Sequence, residues 1–187
     1  KTIVNKIYDS NILLVGCGAL GSEISKNLGK IGFSQKSNSN LIMTDMDTIE
    51  ISNLCRQFMF QSEDVGKMKS YVCKNKLNKY SPKMNVIALD KKLGKENEDI
   101  FNRKLWESRD FVINALDNIE GRKEVDRKCH NFLKPLFESG TMGTKGNIQT
   151  ILPYITSLYS DIEDSPIKEI PVCTIKNFPS NIDHCIQ

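Results

Sequence analysis

The chain reads Asn11-Ile-Leu-Leu-Val15, then Gly16-Cys-Gly-Ala-Leu-Gly21, then a stretch to Gly32 in which Ile24, Leu28 and Ile31 recur at helical spacing. A short apolar, β-branched run, a glycine turn and an amphipathic helix in that order form the first part of a βαβ unit. Gly32 ends the helix, residues 34–40 are a polar loop, and Leu41-Ile-Met-Thr44 reads as a second buried strand that stops on Asp45. Further out, the same alternation repeats. A helix over 68–79 precedes a strand over 86–89, with Ser81-Pro82 between them. A helical region over 98–107 precedes Phe111-Val-Ile-Asn114. A helix over 120–132, with Val125, Cys129 and Phe132 on one face, precedes Pro135-Leu-Phe137, a strand ending at Glu138-Ser-Gly140. Alternation of this kind predicts an α/β fold with a mostly parallel sheet and helices on both faces. Residues 147–154 turn strand-like with no helix after them, so antiparallel additions are expected at one edge.

With 187 residues, the chain is long enough for one domain with a full core and short for two. Hydrophobic residues make up 39% and charged residues 26%, which excludes long disorder, collagen-like sequence and a disulfide scaffold. The formal net charge of +3 is too mild for a nucleic-acid groove or a membrane-binding face. Six Cys, at 17, 55, 73, 129, 173 and 185, include no C-x-x-C pair, so a zinc ribbon has no ligands. No secretory signal and no apolar run of membrane-spanning length is visible, and free thiols in a reducing compartment are expected. Starting at Lys1 without Met and stopping at Gln187 without a terminating motif, the chain is expected to be a piece of something longer. Its function is then expected to need parts outside it.

In a G-x-G-x-x-G turn, the glycines permit a tight bend after the strand, close backbone approach to a phosphate, and close helix–strand packing. Gly16, Gly18 and Gly21 fit that use, although a tight turn with no ligand would use the same residues. Asp45, at the end of the second strand, is placed to accept hydrogen bonds from ribose hydroxyls, which suits a Rossmann-like site for NAD or for any nucleotide with a free ribose. The residues after it break the dehydrogenase pattern. Asp45-Met-Asp47 leads into Ser52-Asn-Leu-Cys-Arg-Gln-Phe58, and Gly66-Lys-Met-Lys69 opens the next helix. Arg56 and Lys69 would supply two cations near a glycine turn that lacks a Walker lysine, as triphosphate chemistry requires. The crowd of lysines at 67, 69, 74, 76 and 79 reads equally as a solvated basic surface, from which composition does not single out Lys69. At the end of the fourth strand, Asp117 is a candidate Mg²⁺ ligand, because that ion needs only one or two carboxylates beside substrate phosphates. The alternative is a helix N-cap in the same place.

With these residues assembled, the chain resembles the ubiquitin-activating enzymes, within the wider family that adenylates the C-terminus of ubiquitin-like proteins. The resemblance runs in order through GCGALG, TDMDTIEISNLCRQF, DVGKMKS, NALDNIEGR, KPLFESGTMGTKGN and PVCTIKNFP. It implies the active adenylation domain over 1–158, a crossover linker over 159–171 with five acids or bases and two prolines, and the start of a catalytic-cysteine domain over 172–187. It further implies that Ala19 lies in the adenosine-binding turn, Asp45 holds the ribose, and Arg56 and Lys69 hold the phosphates. Asp117 takes the Mg²⁺ position, Asn118 belongs to the nucleotide site, and Asn53 and Gln57 line the same pocket. Cys173 takes the position of the cysteine that forms the thioester with ubiquitin. Cys55 stands where Asn is frequent and Cys17 where Ala is frequent, both small neighbours of functional residues.

The implied cofactors are ATP and Mg²⁺. The implied partners are ubiquitin, a ubiquitin-conjugating enzyme, and the inactive adenylation half and remaining domains of the same enzyme, in the cytoplasm and nucleus. The lack of paired C-x-x-C motifs favours ubiquitin over SUMO or NEDD8 as the modifier. Taken without the resemblance, a free Cys such as Cys173 is ordinarily a small buried hydrophobe. Its place after the linker and before Thr174 and Lys176 makes it the best nucleophile candidate of the six. Two other classes stay open: a nucleotide-linked oxidoreductase, which offers no reason for Arg56, Lys69 and Asp117 together, and a non-catalytic binding module, which would lose that set.

Overall fold

The computed structural model describes residues 2–142 and 145–161. Strands β1 (Ile12–Val15), β2 (Leu41–Thr44), β3 (Val86–Leu89), β4 (Phe111–Asn114), β5 (Leu136–Met142) and β6 (Lys145–Ile151) form one sheet in the order β3-β2-β1-β4-β5-β6. The first five pair in parallel and β6 runs antiparallel to β5 at the edge, as expected. Strands β1, β2 and β4 alternate their side chains between two cores. Ile12, Leu14, Leu41, Met43 and Ile113 join one cluster, and Leu13, Val15, Ile42 and Val112 join the other. The parallel register Ile12↔Leu41 and Ile12↔Phe111 puts like-facing residues side by side, so each face presents a continuous apolar surface.

Helices cover both surfaces. Leu28 of α2 (Ala19–Ile31) and Val72, Cys73 and Leu77 of α3 (Lys69–Tyr80) fill the first cluster. Trp106 of α4 (Arg103–Glu107) and Val125 and Cys129 of α5 (Ile119–Asn131) fill the second. Among the described residues, Cys17, Cys73 and Cys129 are buried free thiols and Cys55 is an exposed one. No helix among them is long and apolar enough to cross a membrane. A short helix α1 (Ile3–Tyr8), not anticipated from sequence, buries none of its residues.

The region expected to be helical over 98–107 is so only from Arg103. The Asn102 side chain accepts the Leu105 N–H at 3.1 Å and starts the helix there. Trp106 then stacks on Phe132 with ring centroids 5.6 Å apart. At the chain's described end, Tyr159 is 3% exposed and packs into the second cluster, so the folded unit runs past residue 158.

The strand order reverses direction at β1, whose neighbours are β2 on one side and β4 on the other. In open α/β sheets, ligands bind in the crevice outside the carboxyl ends of the strands at such a point. Gly16, Asp45 and Ala115 immediately follow those three ends.

Candidate functional site

The turn after β1 assigns different work to its three glycines. Gly16 has φ +100°, and a Cβ there would lie 2.6 Å from the Ala115 carbonyl oxygen. Gly21 faces the turn from inside α2, where a Cβ would lie 2.0 Å from the Gly16 carbonyl oxygen. These two are demanded by the protein's own packing. Gly18, the N-cap of α2, has an ordinary φ of −75°, and a Cβ there would meet nothing nearer than Gln57 Nε2 at 3.9 Å. Protein packing gives no reason for glycine at 18; a ligand pressed against the backbone would. Ala19 is the first residue of α2, half-buried beside that space, at a helix N-terminus suited to an anion.

Asp45 closes the turn from the β2 side. Its Oδ2 accepts the Cys17 N–H at 2.7 Å and its Oδ1 the Asp47 N–H at 2.9 Å. Burial pushes its carboxyl above the ordinary aspartate range, while those two N–H groups and Lys69 pull it partly back. The Cys17 thiol is also raised, first by its hydrogen bond with Cys73 and then by burial, so it is no ready nucleophile.

Lys69 comes to this place through a small antiparallel bridge, Thr48 to Met68, flanked by the Ile49 N–H donating to Lys67 O and the Lys69 N–H donating to Asp47 O. Lys69 Nζ donates to Asp47 Oδ2 at 2.8 Å. The Lys69 side chain is only 11% exposed, whereas that of Asp47 is 55% exposed. Lysine is disfavoured at the first residue of a helix, where the macrodipole is positive. A cation beside a helix N-terminus is suited to an anion. Asp47 was not among the sequence candidates; the Asp45-Met-Asp47 pair was the available signal.

The 51–57 segment contributes unevenly. Gln57 is buried near Gly18, and its Oε1 has no hydrogen-bond partner among the described residues. Asn53 is buried but engaged locally, its Oδ1 accepting the Glu50 N–H at 3.0 Å in a capping box. Arg56 is exposed, and its Nη1 donates to the Ser52 carbonyl at 2.6 Å; its N–H donates to the Asn53 carbonyl, but no hydrogen bond joins its guanidinium to another candidate among the described residues.

After β4, the loop 115–118 packs against Gly16. Asn118, not Asp117, is the N-cap of α5, its Oδ1 accepting the Gly121 N–H at 2.7 Å. Asp117 is exposed and holds no hydrogen bond or ion pair among the described residues, so no structural duty occupies its carboxylate. A lone carboxylate beside the glycine turn fits what Mg²⁺ would require, since that ion takes most of its oxygens from water and phosphate. No group of three or more metal-ligating side chains occurs among the described residues. Cys173 lies outside the described residues.

Residues 2–184 match the ThiF family. This chain belongs to the ThiF family. Within it, the chain is similar over nearly its whole length to ubiquitin-activating enzymes. It is 45% identical over 186 residues to ubiquitin-activating enzyme E1 2 of Triticum aestivum, spanning 100% of this chain and 18% of that protein. It is 46% identical over 187 residues to ubiquitin-like modifier-activating enzyme 1 of Dictyostelium discoideum, again 100% of this chain and 18% of that protein. The Homo sapiens protein of the same name is 43% identical over 182 residues, 97% of this chain and 17% of that one. The chain thus spans less than a fifth of the length of these relatives.

Proposed function

We propose that this ThiF-family chain is the active adenylation domain of a ubiquitin-activating enzyme, with Gly16, Gly18, Ala19, Gly21, Asp45, Asn53, Arg56, Gln57, Lys69, Asp117 and Asn118 forming the ATP site. One observation carries the reading. A Cβ at Gly18 would meet nothing nearer than Gln57 Nε2 at 3.9 Å, so the protein's own packing does not demand glycine in a turn whose Cys17 N–H is held by the Asp45 carboxylate, itself influenced by the cation of Lys69. The likeness to ubiquitin-activating enzymes supports the choice of substrate.

In this reading, the C-terminal carboxylate of ubiquitin attacks the α-phosphorus of ATP, and the bond to the leaving pyrophosphate breaks, giving an acyl-adenylate. The carboxylate is already ionised at neutral pH, so no general base is needed; the protein's task is positioning and charge neutralisation. Asp45 accepts from the ribose hydroxyls. Lys69 exchanges its half-exposed partner Asp47 for phosphate oxygens, and Arg56 turns from the Ser52 carbonyl toward the same charge. Asp117 would hold Mg²⁺, which when bound neutralises phosphate charge. The thiolate of Cys173 then attacks the acyl carbonyl, forming a thioester and releasing AMP, ahead of transfer to a ubiquitin-conjugating enzyme. The inactive adenylation half and remaining domains complete the enzyme, which works in the cytoplasm and nucleus.

The test is ATP–pyrophosphate exchange by the full-length protein, with ubiquitin, SUMO and NEDD8 supplied separately. Exchange only with ubiquitin is expected. Exchange driven by SUMO or NEDD8 would reassign the modifier, and none with any of the three would overturn the reading.

A further inference from the structure

Behind the rim of the site lies a buried polar network that the glycine turn does not explain. Glu138 on β5 is 1% exposed, and Asn114 at the end of β4 donates to its Oε2 from Nδ2 at 2.7 Å. Arg122 on α5 places Nε 3.5 Å from the other carboxylate oxygen. The same guanidinium donates through Nε and Nη2 to the Leu116 carbonyl, at 3.0 and 2.8 Å. Leu116 directly precedes Asp117. The seat for the guanidinium is built: a Cβ at Gly140 would lie 2.5 Å from Arg122 Nη2 and 2.7 Å from Nη1, so only glycine there admits it. The Tyr159 ring covers it with 5.9 Å between ring centroid and guanidinium carbon. One helical turn further, Asp126 Oδ2 accepts from the Ser160 N–H and Oγ at 3.1 and 2.9 Å, fixing the same segment on α5.

A buried ion pair is weak evidence for stability, because apolar residues of similar volume serve a core as well or better. What this pair supplies that leucine and methionine cannot is a forked donor on one chosen carbonyl. That carbonyl belongs to the loop whose residues 115 and 116 pack on Gly16. We propose that Arg122, held by Glu138 and seated against Gly140, is a positioning residue that locks the Leu116 carbonyl and so holds the Asp117 loop against the glycine turn. The proposal rests on the assignment of Asp117 to the nucleotide site. It also makes one side chain the shared anchor of that loop and of the turn at 159–160, from which the chain continues toward Cys173.

The experiment uses the full-length protein with Arg122→Lys, Glu138→Gln and, as control, Arg127→Ala, which removes an exposed pair with Glu124 on the same helix. Lysine keeps the charge but not the fork. Glutamine keeps an acceptor for Asn114 but not the charge facing Arg122. Hydrogen–deuterium exchange without nucleotide is expected to speed up by about tenfold or more over 115–118 in both variants, the range for losing hydrogen bonds to a charged group. The β1 and β2 amides and the control should match wild type. A second arm measures binding of fluorescent ATP with Mg²⁺ and with EDTA. Arg122→Lys should lose about tenfold of the Mg²⁺-dependent affinity and none of the affinity in EDTA. Unchanged loop exchange in both variants, or faster exchange throughout the sheet, would overturn the proposal. If Asp117→Ala keeps the full Mg²⁺ response, the assignment of Asp117 falls, and the positioning role is then decided by the loop exchange alone.

Discussion

Two one-methyl substitutions in the same turn are expected to fail in opposite ways. In Gly21→Ala, the new Cβ would sit 2.0 Å from the carbonyl oxygen of Gly16 and 2.9 Å from its carbon, both backbone atoms. The carbonyl must retreat by more than about 1 Å to reach ordinary contact. It has little room, because Gly16 itself faces the Ala115 carbonyl oxygen at 2.6 Å from its own Cβ position. Alanine gains about 1 kcal/mol over glycine inside a helix. Overpacking costs about 1–3 kcal/mol where side chains can yield and more where only backbone is available. A net loss of about 2–3 kcal/mol follows, lowering Tm by about 4–12 °C at ~2–4 °C per kcal/mol for this chain length. In Gly18→Ala, the nearest atom stands 3.9 Å away and φ is −75°. An N-cap loss of about 0.5 kcal/mol is offset by about 0.4–1 kcal/mol of reduced unfolded-state freedom, so Tm should hold within about 2 °C. Its methyl group occupies the space left for ligand, however, and affinity for fluorescent ATP should drop by about tenfold or more, equivalent to ~1.4 kcal/mol. Thermal melting by circular dichroism and a nucleotide titration separate the two effects. A Gly18→Ala chain that melts as low as Gly21→Ala, or binds ATP like wild type, would refute the division of labour among the glycines.

Lys69→Ala and Asp117→Ala should each reduce ubiquitin-dependent pyrophosphate exchange by about 10²–10³-fold, the scale of losing one charge-stabilising group. Normal exchange in either would remove that residue from the site. Lys69→Ala should lower stability by only about 1 kcal/mol, because the carboxylate left behind, Asp47, is already 55% exposed. Cys173→Ala in the full-length protein should keep adenylate formation and lose the thiol-sensitive ubiquitin adduct on a non-reducing gel; a persistent adduct would place the nucleophile elsewhere. Asp64, ahead of Lys69, has its carboxyl pushed up by burial but pulled further down by Lys67, Lys76 and the Gln61 N–H. Its folded pKa is thus below the unfolded value of about 3.9, and its stabilising contribution, present above that pH, is lost as pH falls through the folded pKa. Asp64→Asn should flatten the acid side of the stability profile measured by urea unfolding, and an unchanged slope would count against the ion pairs.

Strands β1 and β2 were legible because each is a run of four residues buried on both faces, a pattern that leaves little choice of partner structure. Helix α1 was not, because it buries nothing: its cap at Thr2 and the Gln35 and Lys36 N–H groups that donate to the Tyr8 carbonyl leave no periodic trace. Over 98–107, where one helical region was expected, the side-chain cap at Asn102 sets the start of the helix at Arg103. For the site, residues that follow strand ends could be placed from sequence, which covers Gly16, Asp45 and the Asp117 loop. Sequence could not divide the duties of neighbours such as Asp117 and Asn118, where the cap falls on the second and leaves the first without a structural partner.

Lys69 marks the limit of local pattern. Among the lysines of its segment, the side chain of Lys67 is 55% exposed and that of Lys69 only 11%. Nothing in their spacing separates them, since both precede the body of α3 and both pair with an aspartate. What separates them is the bridge from Thr48 to Met68, a contact between two polar segments with no apolar periodicity to announce it. That bridge carries the chain from the end of β2 to the start of α3 and turns Lys69 inward beside Asp45. Glu138 shows the converse. Sequence reading placed Glu138 only at the end of a strand; once the fold buries it, the carboxylate needs a charged or hydrogen-bonding partner. Only the fold could name Arg122, because the helix that carries it meets β5 through tertiary packing rather than through proximity in sequence.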